Sequence, residues 1–322
     1  LHYPLRRQRQ MCIRDRSYIV RAVSFRPFLA TVVRSERIAP NFQRVTFTGV
    51  DAMGPAVPIM DLRIKLIIPS AAGLVDLPAE GWWDLWRAMP EHTRGHLRTY
   101  SIRALRRNDG DPDELDVDFV LHGHNAGPAS AWAESALPGQ ALWIIGPTRD
   151  DASGVGIEFA PGAAAAARLY GDETALPAIS RVLEDWPEDL AGSADIEVPV
   201  GNSLQIDAPA HVDVRWHFRT EPEAGHGDML YTQLKQDIES LRGSIGPTTD
   251  ELDNDGGPQR DNVWETPTYS GSGEPINGGA GASGHTYYWI AGKNTSVKAM
   301  RRLLVKEAGL PRQHVSFMGY WR

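Results

Sequence analysis

Cysteine is almost missing from this chain: Cys12 stands alone among 322 residues. A single thiol closes no intrachain disulfide and leaves no thiolate set for zinc or an iron–sulfur cluster. A reducing, cytoplasmic setting is the expectation. Apolar runs are short. None approaches the roughly 20 residues that cross a bilayer, so no stable membrane insertion is expected. The first 16 residues also lack the apolar stretch of about 7–15 residues that a secretory signal requires. Positive charge is not in excess either: 33 Lys and Arg stand against 41 Asp and Glu, a net charge of −8. Such a balance argues against a protein that displaces counterions from nucleic acid. The G-x-G-x-x-G fingerprint is absent, and with it the classical dinucleotide turn. His122 and His124 stand two apart with no third ligand at sensible spacing, so no metal site is expected.

What is present reads as two domains, since the length is about twice that of an ordinary one. Hydrophobic residues at 42% and charged residues at 23% are normal for a globular chain. Residues 1–16 are arginine-rich, and Met11–Arg16 resembles translated adaptor sequence. Residues 1–24 are therefore expected to be a disordered or non-native leader. From Phe25 to about residue 155 the pattern is one of short strands. Leu62, Ile64, Leu66 and Ile68 alternate with Arg63 and Lys65, and Leu115, Val117, Phe119 and Leu121 alternate with Asp116 and Asp118. That period of two predicts an antiparallel β-barrel or sandwich. One short helix is expected at Ala129–Ala136, and a loop with a helical piece at Leu77–Met89. After residue 155 strands and helices alternate, which predicts a small parallel-sheet α/β domain over 156–322. Gly243–Gly284 holds ten of the 31 glycines and little periodicity. It reads as a disordered surface insertion.

Four motifs carry chemistry. In Arg98-Thr99-Tyr100-Ser101-Ile102-Arg103, Arg98 and Tyr100 share one strand face and Thr99 and Ser101 the other. A phosphate-pairing guanidinium, a flat ring and a hydroxyl are thus offered together, although a barrel strand with ordinary surface arginines fits as well. The run from His122 through Gly127, Ala129 and Ser130 is a glycine turn entering a helix, where backbone N–H groups suit an anion such as a pyrophosphate. Gly171-Asp172-Glu173-Thr174 closes a strand and opens a helix, the place where open α/β sheets bind nucleotides. Gly292 marks a further strand-to-helix turn. Glycine at such turns also serves as plain punctuation.

In order, R-x-Y-S-x-R, HG…GPAS-x-WA, GDETALPA, WIAG and a terminal GYWR resemble the siderophore-interacting protein family. Its members are flavin-dependent ferric-siderophore reductases of the ferredoxin–NADP reductase superfamily. The resemblance implies an antiparallel β-barrel that binds FAD, followed by an α/β domain that binds NAD(P)H. It implies FAD contacts at Arg98, Thr99, Tyr100, Ser101, His122, Gly127, Ala129 and Ser130. It implies NAD(P)H contacts at Gly171, Asp172, Glu173, Thr174 and Gly292, with Arg219 toward an adenosine 2′-phosphate. Lys65, Arg149 and Arg322 match the basic cluster for an anionic ferric siderophore. The family reads G-P-R-G-S where this chain reads Gly146-Pro147-Thr148-Arg149-Asp150. The implied function is reduction of ferric siderophores by NAD(P)H, or by ferredoxin as a protein partner, through FAD in a monomer. A different flavin oxidoreductase on the same scaffold, such as a flavin reductase, and a non-enzymatic siderophore-binding module are the alternatives.

Overall fold

The computed structural model describes residues 25–123, 126–220, 225–241, 263–266, 269–270 and 284–322. The expected leader at 1–24 lies outside them. The first half is one antiparallel sheet of seven strands in the order β4-β3-β7-β1-β2-β6-β5. These are β1 Phe25–Ala39, β2 Phe42–Thr48, β3 Arg63–Ile68, β4 His96–Ser101, β5 Ala104–Arg106, β6 Glu114–Val120 and β7 Ala141–Pro147. The sheet curls into a half-barrel around Phe28, Phe47, Ile64, Leu66, Phe119 and Ile144. The alternation read in the sequence is the reason: Ile64 and Leu66 point into this core, while Lys65 points out. On β6 the intervening Asp116 and Asp118 are buried as well. Each is paired across the sheet: Asp118 with Arg44 at 2.7 Å, and Asp116 with Arg106 at 2.5 Å, Asp116 also accepting from the Thr46 hydroxyl at 2.7 Å. Burial raises the Asp116 pKa and these partners lower it, with a net downward shift. Two short helices join the strands, α1 Trp82–Ala88 and α2 Pro128–Glu134. The second packs against β2, β3, β4 and β6.

The second sheet has the order β10-β9-β8-β13-β14-β11-β12. Its strands are β8 Ala166–Asp172, β9 Ala191–Pro199, β10 Val212–Arg219, β11 Trp264–Thr266, β12 Tyr269–Ser270, β13 Thr286–Lys293 and β14 Val315–Trp321. Five are parallel, and β11 and β12 add an antiparallel edge. The sheet is therefore mixed, where the sequence pattern predicts a parallel one. Helix α3, Leu176–Glu184, covers one face; α4, Asp228–Leu241, and α5, Asn294–Arg301, cover the other. Central β13 shows why both faces need cover. Tyr287 and Trp289 are buried toward α3, and Tyr288 and Ile290 toward α4 and α5. A strand buried on two faces reads as a continuous apolar run. Gly171 lies at the tight β8–α3 turn, where an added Cβ would stand 2.6 Å from Ile179.

Strand β11 also corrects the expected insertion. Trp264–Thr266 pairs with β14, and Glu265 binds Arg301 at 2.8 Å and Arg312 at 3.1 Å. So 243–284 is not one uniform disordered stretch; 242–262, 267–268 and 271–283 lie outside the described residues. The two sheets meet at a buried carboxylate. Asp61 accepts from the Glu158 and Phe159 amides at 2.9 and 3.0 Å and from the Trp289 indole at 2.8 Å. Arg103 and Glu184, 2.6 Å apart, add an ion pair across the same joint.

Candidate functional site

The register of β3 against β4 sets Tyr100 opposite Ile64 and Arg98 opposite Leu66, so both face the mouth of the half-barrel. Tyr100 packs its ring 4.5 Å from Phe119, which lies 5.9 Å from Trp132 of α2. Burial raises the Tyr100 phenol pKa and keeps it protonated. Arg98 is exposed at the edge of the sheet and donates to the Leu97 carbonyl at 2.9 Å. Helix α2 begins just across the mouth. Gly127 precedes it in open space, and no side chain caps its first turn. The amide N–H groups of that turn have no intrahelical acceptor. Ser130 is buried, and its hydroxyl accepts from the His122 amide at 3.2 Å, which ties the HG turn to the helix. An exposed guanidinium, an uncapped helix start and a half-buried ring fit a diphosphate joined to a planar heterocycle. Thr99 and Ser101 lie on the opposite face, beside Lys65 and Arg63.

Facing this mouth is the carboxyl end of the second sheet. Here the structure assigns Asp172 an internal duty. One oxygen accepts from the Thr174 amide at 2.9 Å and hydroxyl at 2.5 Å; the other accepts from the Lys293 amide at 2.7 Å and the Trp321 indole at 2.9 Å. Four donors hold β8, β13 and β14 together at their ends. Gly292, at φ 143°, is the residue that lets them converge, since a Cβ there would lie 2.5 Å from the Asp172 carboxylate. Asp172 and Gly292 thus build the turn that the sequence places against a nucleotide.

Arg219 is a clearer departure. It is 3% exposed and bridges Glu197 at 2.8 Å and Glu173 at 2.6 Å. Reaching an adenosine 2′-phosphate would break two buried ion pairs, a loss of several kcal/mol; the expected phosphate contact is not the role this geometry gives it. Glu173 has its pKa raised to about 7, chiefly by burial and then by neighbouring Asp172. Its Oε2 has no hydrogen-bond partner, and neither has the buried Nδ1 of His226, which lies 3.8 Å from Glu173 Oε1.

Trp321 is the residue to which sequence reasoning assigns no role. Its ring stands 6.2 Å from His122 of the first half and meets His226 edge-on at 4.8 Å. Lys293 sits 5.1 Å from its centroid. The terminal G-Y-W-R was the available signal, but only folding shows that this tryptophan spans the gap between the halves. Arg322 follows it and is exposed. The three expected substrate cations stand on different parts of the chain, in β3, past the end of β7 and after β14. Lys65 donates to the Thr99 hydroxyl at 3.2 Å in the middle of β3. Arg149 instead lies past the end of β7, held by the Asp51 carbonyl at 3.2 Å and by Asp113 at 3.4 Å. With Arg26 it lines a cavity of about 630 Å³.

Residues 31–151 match the family described as the siderophore-interacting FAD-binding domain, and residues 164–322 match the siderophore-interacting protein family. The chain belongs to the siderophore-interacting protein family, on the two-domain scaffold of ferredoxin reductases. It is 29% identical to the ferric vibriobactin reductase ViuB of Vibrio cholerae over 92% of this chain and 89% of that protein. Among solved structures it is similar to SipS from Aeromonas hydrophila, with 27% identity, coverage of 93% and 92%, and a TM-score of 0.60. A siderophore utilization protein from T. fusca gives 25% identity, coverage of 93% and 94%, and a TM-score of 0.61. The ferredoxin reductase of carbazole 1,9a-dioxygenase, at 15% identity and a TM-score of 0.54, shares the fold. No helix among the described residues is long and apolar enough to cross a membrane.

Proposed function

We propose that this protein reduces ferric siderophores, with NAD(P)H as electron donor and FAD as the resident cofactor. The observation that carries the reading is the convergence of Arg98, Tyr100 and the uncapped start of α2 on one mouth. Trp321 closes the far side of that mouth from the carboxyl end of the second sheet. Arg98 and the first-turn amides of α2 would hold the FAD diphosphate, and Tyr100 would supply a flat wall for its ring system. FAD, when bound, takes two electrons from a nicotinamide and gives them singly to iron.

This chain's residues then do three things. Arg98 and the α2 amides neutralise the diphosphate. Tyr100 would pack against the flavin ring system from the half-barrel, and Trp321, near His122, would help shield the mouth from water. Lys65 supplies a local positive focus on a protein whose net charge of −8 would otherwise repel an anionic chelate. Fe(III) held by hard oxygen donors is released because reduction weakens those bonds. The test is the visible spectrum of the purified protein: an absorbance near ~450 nm, as expected of bound flavin, that bleaches with anaerobic NADH or NADPH and returns on adding a ferric siderophore. A colourless protein would contradict the reading. One that bleaches, but returns only with free flavin, would make it a flavin reductase.

A further inference from the structure

The parallel strands of the second sheet lie in the order β10-β9-β8-β13-β14, which is third, second, first, fourth and fifth along the chain. The order reverses between β8 and β13, so a dinucleotide would enter the crevice there, at Gly171 and Gly292. Its adenosine half would then lie over the carboxyl ends of β9 and β10. In sheets of this order an acid near the end of the second strand takes the ribose 2′-hydroxyl, and a nearby arginine takes the 2′-phosphate of NADPH. Glu197, near the end of β9, and Arg219, the last residue of β10, stand at those two places.

Both are already engaged. Glu197 is fully buried and accepts from the amides of Gly227, Met229 and Leu230 at 2.7, 3.2 and 3.4 Å. The start of α4 is a place where a phosphate could otherwise sit, and a carboxylate of the protein fills it. Arg219 is buried too, with one guanidinium nitrogen on Glu197 and another on Glu173. His226 adds no positive charge, because burial and then the Arg219 charge lower its pKa. Lys293 stands beyond β8, at the end of β13, with its ammonium 5.1 Å from the Trp321 ring. The connectors that follow β9 and β10, residues 200–211 and 220–227, contain no lysine or arginine. At the ends of β8, β9 and β10 the described acids Asp172, Glu173 and Glu197 therefore outnumber Arg219. A 2′-phosphate carries a charge of about −1.5 to −2 near pH 7. It would meet like charge where water screens poorly, and the guanidinium placed to answer it is already paired.

We propose that this end of the sheet accepts an adenosine ribose without a 2′-phosphate, so that NADH rather than NADPH is the electron donor. Two devices that would hold the extra phosphate, an arginine and a helix start, are both satisfied within the protein. Glu173 and Glu197 act as the specificity-determining pair, holding Arg219 back and repelling the phosphate. The inference rests on the reading of the protein as a nicotinamide-dependent reductase.

The test is equilibrium binding to the flavin-loaded full chain at pH 8, where Glu173, with a pKa of about 7, is mostly ionised. NAD+ is compared with NADP+, and adenosine 5′-monophosphate with adenosine 2′,5′-bisphosphate. The member of each pair without the 2′-phosphate should bind about tenfold tighter or better, as expected of like charges in a poorly screened site. Glu173→Gln removes one repelling charge and leaves Arg219 paired with Glu197, and it should narrow that preference about threefold. Equal or tighter binding of the 2′-phosphorylated members by the wild type would overturn the proposal, and so would a preference that Glu173→Gln leaves unchanged. If the wild type bound neither dinucleotide and its flavin bleached with neither NADH nor NADPH, the donor reading itself would fall and this proposal with it.

Discussion

Arg98 and Arg219 each belong to a strand, and each reads as a phosphate ligand. They end in opposite states. Arg98 stays exposed at the sheet edge beside an uncapped helix. Arg219 is enclosed between Glu173 and Glu197. Arg98→Ala should weaken FAD binding roughly tenfold or more, as a charge-assisted contact contributes about 1.5–3 kcal/mol, measured by flavin titration of the apoprotein. Lys65→Ala should raise KM for an anionic ferric siderophore and leave flavin reduction unchanged in stopped flow. Wild-type KM should rise with salt, because screening shortens the reach of that charge to about 8 Å at physiological strength, and the variant should rise less. Glu173 predicts a pH effect of definite sign. Its folded-state pKa, about 7, lies above that of an unfolded carboxyl. The native state therefore binds the extra proton, so this group costs stability above pH 7 and the cost fades as pH falls toward about 4.3. The melting temperature of the wild type minus that of Glu173→Gln should rise between pH 8 and pH 5. A constant difference would contradict the burial argument. The fate of Arg219 was not legible in sequence. Its partners stand 22 and 46 positions away, and no periodicity records which carboxylate a cation will meet.

At the scale of elements, the short-range patterns were legible. Alternation at Ile64 and Leu66 marks the core face of β3, and the Gly171–Thr174 turn marks the approach to α3, although Ala175, with no side-chain cap, precedes the helix and Thr174 is bound to Asp172 instead. Strand β11 was not, because three residues in a glycine-rich setting carry no period of their own; β14 supplies the pairing that makes them a strand. Its Trp264 then stacks with Tyr320 at 5.9 Å and lies 4.2 Å from the Arg63 guanidinium, tying this edge to the first half. Two deletions should thus behave differently. Replacing 271–283 with a short Gly/Ser linker should leave the melting temperature nearly unchanged, since closure entropy varies slowly with loop length. Replacing the whole of 243–284 removes β11 and the Glu265 ion pairs and should lower it by several degrees. Equal melting temperatures would mean that β11 contributes nothing to the fold.

At the scale of the molecule, function depends on how the halves face one another, and the sequence is silent there. Asp61 reaches Glu158, Phe159 and Trp289 across separations of 97, 98 and 228 residues. The motifs predict each half; this buried carboxylate joins them. Asp61→Asn turns one acceptor into a donor facing the Trp289 indole or a backbone amide, leaving a buried group unsatisfied at a cost of about 1–3 kcal/mol. Thermal melting should detect that loss. The central claim is that the mouth between Tyr100 and Trp321 carries electrons from a nicotinamide to chelated iron. Its most direct test is a single anaerobic cuvette of purified protein. Excess NADH or NADPH should bleach the flavin absorbance. A ferric siderophore should then restore it with release of Fe(II), trapped by a ferrous chelator, at two iron atoms per flavin reoxidised. A flavin that bleaches but is not reoxidised by any ferric siderophore, with no Fe(II) trapped, would contradict the account.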